Sequence, residues 1–139
     1  MKKIIILIPV FNDWESLKKL LIGIDNSIQK FPDLNIECLV VNDASTIAKP
    51  VLIKPKKIKS LKILNMRENR GHARCNAFGI RYVIHNEEFD HLILMDGDGE
   101  DRPSELESLI KKALKNPDCS VVAKRIKRSE GLFFQFLYS

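Results

Sequence analysis

The sequence predicts an α/β fold, a three-layer α/β/α arrangement around a mostly parallel sheet. Two observations predict it. The run at 3–8 is continuously apolar apart from Lys3, the pattern of a parallel strand covered on both faces rather than one wetted on alternate residues. Further short apolar runs at 38–41, 61–64, 91–95 and 119–123 are separated mainly by stretches of helical periodicity, which is the alternation of βαβ units.

In chain order, Pro9 closes the first strand. Asp13 or Ser16 caps a helix in which Leu17, Leu20, Leu21, Ile24 and Ile28 share a face, and Phe31-Pro32-Asp33 breaks it. The strand at 38–41 leaves through the turn Asn42-Asp43-Ala44-Ser45-Thr46. Pro50 and Pro55 argue against a full crossover helix over 47–60, so an irregular turn or a short helix is expected before the third strand. After Gly71, the positions Ala73, Ala77, Ile80, Arg81 and Ile84 mark a helix whose small residues let it approach a sheet or ligand loop closely. The fourth strand leads into Asp101-Arg102-Pro103-Ser104-Glu105, a helix start capped by Asp101 or Ser104. Leu106, Leu109, Ile110, Ala113 and Leu114 form the buried face of that helix, and Asn116-Pro117-Asp118 ends it. A fifth strand and an aromatic-rich tail from Ser129 to Ser139 follow.

At 139 residues, with 45% apolar and 29% charged side chains, the chain is long enough for one continuous core and is expected to be globular and soluble. Without a repeat or low-complexity linker, it reads as one domain over 1–139. The formal charge of +5 favours anionic partners without choosing among them. Cys38, Cys75 and Cys119 are too few and too scattered for a disulfide framework or a metal-ligand set, which points to a reducing compartment. The apolar N-terminus is too short, and too soon interrupted by Pro9, Asn12 and Asp13, to be a signal segment. No stretch is long enough to span a bilayer.

Right-handed crossovers bring the turns at 9–13, 42–46, 67–74 and 96–101 to one edge of the sheet, outside the carboxyl ends of the strands. The most informative of them is Asp96-Gly97-Asp98, directly after an apolar strand. Two carboxylates two positions apart in an extended turn face the same way, so both suit one hard cation, Mg2+ or Mn2+, that shares its coordination with a diphosphate. The bland reading is an acidic turn that caps the next helix. Asp43, at the end of the second strand, suits a nucleobase or a ribose hydroxyl, or else belongs to a plain Asx turn. Gly71 permits close backbone approach at a helix start, where free N–H groups attract phosphate. Arg67 and Arg74 offer charged forks to it, or pair locally with Glu68. No glycine-rich dinucleotide or triphosphate loop follows the first strand. The lysines of 49–62 have no interleaved aromatics, so nucleic acid is not expected as a partner. They are a solvated surface or rest against anionic lipid headgroups.

Four segments together resemble the inverting family 2 glycosyltransferases of GT-A fold. They are Ile8-Pro9-Val10-Phe11-Asn12-Asp13, Val41-Asn42-Asp43-Ala44-Ser45-Thr46, Asn69-Arg70-Gly71-His72-Ala73-Arg74-Cys75-Asn76 and Leu94-Met95-Asp96-Gly97-Asp98. The nearest subgroup by resemblance is the dolichol- or undecaprenyl-phosphate sugar transferases. The resemblance implies a UDP-sugar or GDP-sugar donor, bound by Pro9, Phe11, Asp13, Asp43, Arg67, Gly71, Arg74, Asp96 and Gly97, with Mg2+ or Mn2+ on Asp96 and Asp98. It implies a polyprenyl-phosphate or glycan acceptor near Arg125 and Arg128, and a membrane-facing or acceptor-side helix beginning at Phe133, Phe134, Phe136, Leu137 and Tyr138.

Two departures stand out: Asp13 replaces the family's usual glutamate, and 47–60 replaces a regular helix. The resemblance further implies a general base beyond Ser139. The expected picture is the donor-binding part of a longer glycosyltransferase domain in cell-envelope glycan biosynthesis, incomplete on its C-terminal side. Its expected place is cytoplasmic, peripheral at the inner face of the cell membrane, with self-association through the tail aromatics. The alternatives are a non-catalytic nucleotide or nucleotide-sugar module, or an inactive fragment.

Overall fold

The computed structural model describes residues 1–97, 102–117, 119–125 and 132–138. Strand β1 (Lys3–Val10) is buried along all but its first residue. It pairs in parallel with β2 (Asn35–Asn42) on one side and with β4 (His91–Leu94) on the other. β2 in turn pairs in parallel with β3 (Ser60–Asn65), which completes a sheet of order β3-β2-β1-β4. Helix α1 (Trp14–Ser27) connects β1 to β2, and α2 (His72–Asn86) connects β3 to β4. Helix α3 (Leu106–Lys115) follows β4 through a 3-10 turn at Pro103–Glu105.

The chain moves from β1 to β3 in one direction and then jumps back to β4, so right-handed crossovers put α1 and α2 on opposite faces. The packing agrees. Ile4, Ile6 and Ile8 of β1 meet Leu17, Leu21 and Ile24 of α1 and Leu109 and Ile110 of α3, whereas Ile5 and Leu7 meet Cys75 and Val83 of α2. Each fully buried aliphatic chain contributes about 1.5–3 kcal/mol relative to exposure, which is why the central strand has no polar residue after Lys3. This is the expected three-layer α/β/α architecture.

Three local expectations change. Pro9 lies inside β1 rather than ending it. Leu7 O accepts the Met95 N–H, so odd positions of β1 face β4, and at Pro9 that neighbour has already ended. A residue without an N–H is tolerated there. The buried stripe of α2 is Cys75, Gly79 and Val83, not the Ala73, Ala77 and Ile84 face; Ile84 is 61% exposed. A Cβ on Gly79 would stand 2.6 Å from Leu7 Cδ1 and 3.0 Å from Val41 Cγ2, so the missing side chain is what lets α2 lie on the sheet. β5 (Cys119–Arg125) is antiparallel to β6 (Leu132–Tyr138) in a separate two-stranded sheet rather than a fifth parallel strand. The aromatic tail is therefore strand, not the start of a helix. The segment 47–59 contains no helix, which is the irregular form of the two expected there.

At the amino ends of the strands, Lys3 bridges Glu37 and Glu87, and Lys62 pairs with Glu87. The Lys62 hydrogen bond, reinforced by Lys3, holds the Glu87 carboxyl below its ordinary value of 4.5. Because the folded value is the lower one, the stabilisation is present above the unfolded carboxyl range and is lost as pH falls through the folded value. Acid unfolding of Glu87→Gln is therefore expected to depend less steeply on pH below about 4.5 than that of the parent. Superimposable profiles would remove Glu87 from the acid response.

Candidate functional site

A cleft of about 160 Å3 opens at the carboxyl ends of β1 and β4, where the strand order reverses. In open α/β sheets ligands settle at this switch point. β1 and its turn contribute Pro9, Val10, Phe11 and Asp13. Asp43 comes from the end of β2, His72 and Cys75 from the first turn of α2, and Asp96 and Gly97 from the end of β4. Of the donor-site residues expected from the sequence, Pro9, Phe11, Asp13, Asp43, Asp96 and Gly97 come together. Gly71 adjoins His72 at the cap of α2. Arg67 and Arg74 are exposed and outside the described lining. Asp98 and Arg128 lie outside the described residues, and Arg125 is the last residue of β5.

Asp43 is 4% exposed, and both its carboxylate oxygens are engaged. Oδ1 accepts the Arg70 N–H at 2.9 Å and Oδ2 accepts the Gly71 N–H at 3.0 Å, while Asn69 Nδ2 donates to the Asp43 backbone oxygen. Two charge-assisted bonds from adjacent amides fix the loop before α2, where Gly71 takes φ 87° as the N-cap. The end of β2 thus aims the α2 N-terminus at the cleft.

Asp13 caps α1 by accepting the Ser16 N–H, which settles the choice between those two residues. Asn12 and Ala44 both adopt left-handed backbone, with φ of 63° and 56°. They sit in neighbouring turns that hold each other. Asn12 Oδ1 accepts the N–H groups of Thr46 and Ile47, and the Asn12 N–H donates to Ser45 Oγ. Strain of about 1–3 kcal/mol per such residue is retained where surrounding contacts over-determine the backbone, commonly at functional sites. Asparagine tolerates this conformation, but nothing in the sequence around Ala44 marks it.

Asp96 faces the cleft from the end of β4, and its Oδ1 lies 3.0 Å from His72 Nε2. Asn76 Nδ2 is 3.2 Å from the same nitrogen, so a proton on Nε2 serves Asp96 whereas a lone pair there serves Asn76. His72 shows no short-spaced partner in the sequence; only the fold, which sets the first turn of α2 beside the end of β4, brings it to Asp96. A Cβ on Gly97 would stand 2.9 Å from Pro9 O, so the absence of a side chain keeps the Asp96 turn against the β1 end. Cys75 forms part of the floor, its Sγ 3.6 Å from Val41 O. Burial, with the Asp43 charge adding to it, pushes the thiol up to about 11. It is therefore an uncharged, apolar surface at neutral pH rather than a nucleophile.

The charged side chains that line the cleft among the described residues are Asp13, Asp43 and Asp96, with His72 beside them and no lysine or arginine. Asp43 is compensated by amides and Asp13 by its helix. Asp96 is 38% exposed at the side chain and pairs with His72. Among the described residues no three His, Cys, Asp or Glu side chains form a metal cage.

Comparison with known proteins shows the family and the fold. The family model described as "Glycosyl transferase family 2" matches residues 5–139. An uncharacterised protein of Methanocaldococcus jannaschii is 26% identical over 111 residues, covering 78% of this chain and 45% of that protein. The structure of S. aureus TarS 1–349 superposes with a TM-score of 0.58 at 19% identity, covering 91% of this chain and 36% of TarS 1–349. Its complex with UDP-GlcNAc gives 0.58 at 20% identity, covering 91% and 35%. The TarS likeness shows the fold, which is the GT-A type. The chain spans less than half the length of each of these relatives.

Proposed function

The chain belongs to glycosyl transferase family 2, and on that premise we propose that the cleft binds a nucleotide-sugar donor for transfer of the sugar to an acceptor. The observation that carries this reading is an acidic cleft at the switch point, faced by the N-terminus of α2. A diphosphate brought to such a lining alone would be repelled. Asp96 and Asp98 would hold Mg2+ or Mn2+, which when bound neutralises charge on the leaving nucleoside diphosphate. The first-turn N–H groups of His72, Ala73 and Arg74 have no carbonyl inside their helix and favour an anion at that end. Phe11, 46% exposed at the mouth, offers a ring face to the base or ribose. Asp43 keeps lone pairs beyond those given to Arg70 and Gly71 for a base N–H or a ribose hydroxyl.

Residues 1–139 would supply the donor side of an inverting transfer. A polyprenyl-phosphate acceptor attacks as an anion and needs no general base, whereas a glycan hydroxyl does. Arg125 and Arg128 are assigned to the acceptor phosphate. Uridine nucleotides are the first to test, because the fold-related TarS binds UDP-GlcNAc in its complex.

Calorimetric titration with UDP and GDP, with and without Mn2+, tests the reading. The expected result is Mn2+-dependent binding of one nucleotide, with Asp96→Ala weakening it by about ten-fold or more at unchanged thermal stability. Equal affinity in Asp96→Ala would remove the cation assignment. Failure of the folded parent to bind either nucleotide would remove the donor reading itself.

A further inference from the structure

We propose that the strap joining β2 to β3, residues 47–59, is a docking surface for an anionic lipid bilayer. Pro50 and Pro55 prevent a crossover helix here, yet the strap is firmly anchored. Trp14 Nε1 donates to Ile47 O, and Asp25 Oδ1 accepts the N–H groups of Lys57 and Ile58. Leu52 packs against the core, and Ile58 is fully buried.

Against those inward anchors, Ile47, Val51 and Ile53 are 58%, 85% and 83% exposed. They flank the anchor at Leu52 but contribute almost nothing to packing. Single exposed aliphatics need no explanation, but three within seven residues on a tethered segment form a surface feature.

The charge around them selects the occupant. From 44 to 67 the sequence has six lysines and one arginine but no aspartate or glutamate. Lys49, Lys56, Lys57 and Lys59 are exposed, and among the described residues none of their ammonium groups has a carboxylate partner. Lys54 instead turns back to the carbonyls of Pro55 and Ile58. At the amino end of the sheet, Lys56, Lys57 and Lys59 rim a cavity of about 210 Å3 whose walls include Ile28, Phe31 and Ile36. Aliphatic side chains projecting from a lysine field match the acyl–headgroup boundary of an anionic membrane. Nucleic acid would call for exposed aromatics, and the strap has none. This surface stands independently of the donor reading of the cleft.

Sedimentation of the full chain with vesicles tests it, comparing phosphatidylcholine alone with phosphatidylcholine containing about a third phosphatidylserine. Binding is expected to the anionic vesicles and to fall as salt is raised. Each lysine near the surface contributes about five-fold to partitioning, so Lys56→Glu/Lys57→Glu is expected to lose more than about 25-fold. Val51→Ser/Ile53→Ser is expected to lose about ten-fold. Both pairs are solvent-exposed, and circular dichroism confirms that the variants stay folded. Unchanged vesicle binding in both double variants would overturn the proposal by placing the contact elsewhere. So would absence of binding to anionic vesicles, whether accompanied by binding to a single-stranded oligonucleotide or by a dimer that Val51→Ser/Ile53→Ser dissolves.

Discussion

Asp43→Ala is expected to lower the unfolding free energy by about 2–4 kcal/mol and to weaken nucleotide binding even without a metal ion. The first effect follows from two lost charge-assisted hydrogen bonds, each contributing about 1.5–3 kcal/mol, offset in part because the amides of Arg70 and Gly71 are near enough to solvent to find water. The second follows from position, since those amides hold the loop that aims α2 at the cleft. Hydrogen exchange separates the two. Faster exchange should be concentrated at 69–75 in the variant, under conditions where the sheet amides remain protected. Asp43→Asn keeps one acceptor oxygen and turns an amide donor toward the other N–H, so it should fall between parent and alanine. If Asp43→Ala melted like the parent, the carboxylate would not be the clamp for this loop. If it lost stability but bound nucleotide equally well, its role would be confined to the fold.

Gly79→Val should cost about 3 kcal/mol or more in unfolding free energy, read from chemical denaturation. The first added carbon would already stand 2.6 Å from Leu7 Cδ1 and 3.0 Å from both Leu7 Cδ2 and Val41 Cγ2. Leu7 and Val41 are fully buried in the two central strands, so neither can yield without disturbing the sheet. Overpacking of one or two methyl groups costs about 1–3 kcal/mol, and the branched chain adds a helix penalty. Gly79→Ala is the graded comparison. It suffers the first clash but gains up to about 1 kcal/mol of helix propensity, so its loss should be clearly smaller. A valine variant as stable as the parent would show that α2 can lift off the sheet without cost. The intimate contact at Gly79 would then not be what seats α2.

Much of the site could be seen in the sequence because parallel topology turns chain order into spatial order. Once 3–8, 38–41 and 91–95 are strands of one parallel sheet, Pro9, Asp43 and Asp96 must emerge at the same edge. The family resemblance rested on those same turns. The buried face of α2 could not be recovered in that way, because two small-residue stripes at helical spacing compete. Ala73 and Ala77 look as suitable as Cys75 and Gly79 until the positions of Leu7 and Val41 decide between them. His72 was likewise invisible as a partner of Asp96, since the contact spans 24 positions and depends on the first turn of α2 lying beside the end of β4.

The sequence by itself determined the first four strands, their parallel sense, the edge at which the polar turns gather and the lack of a full crossover helix where prolines interrupt the β2–β3 connection. These follow from local dihedral limits and from burial, both of which are written in neighbouring residues. Only the tertiary structure decided that Asp43 is held by two amides, that His72 reaches Asp96, that the aromatic tail pairs as β6 and that Val51 and Ile53 face outward. Each of these depends on which of several locally equivalent groups meets a partner far along the chain. That choice is made by packing density and hydrogen-bond satisfaction, which have no local signature.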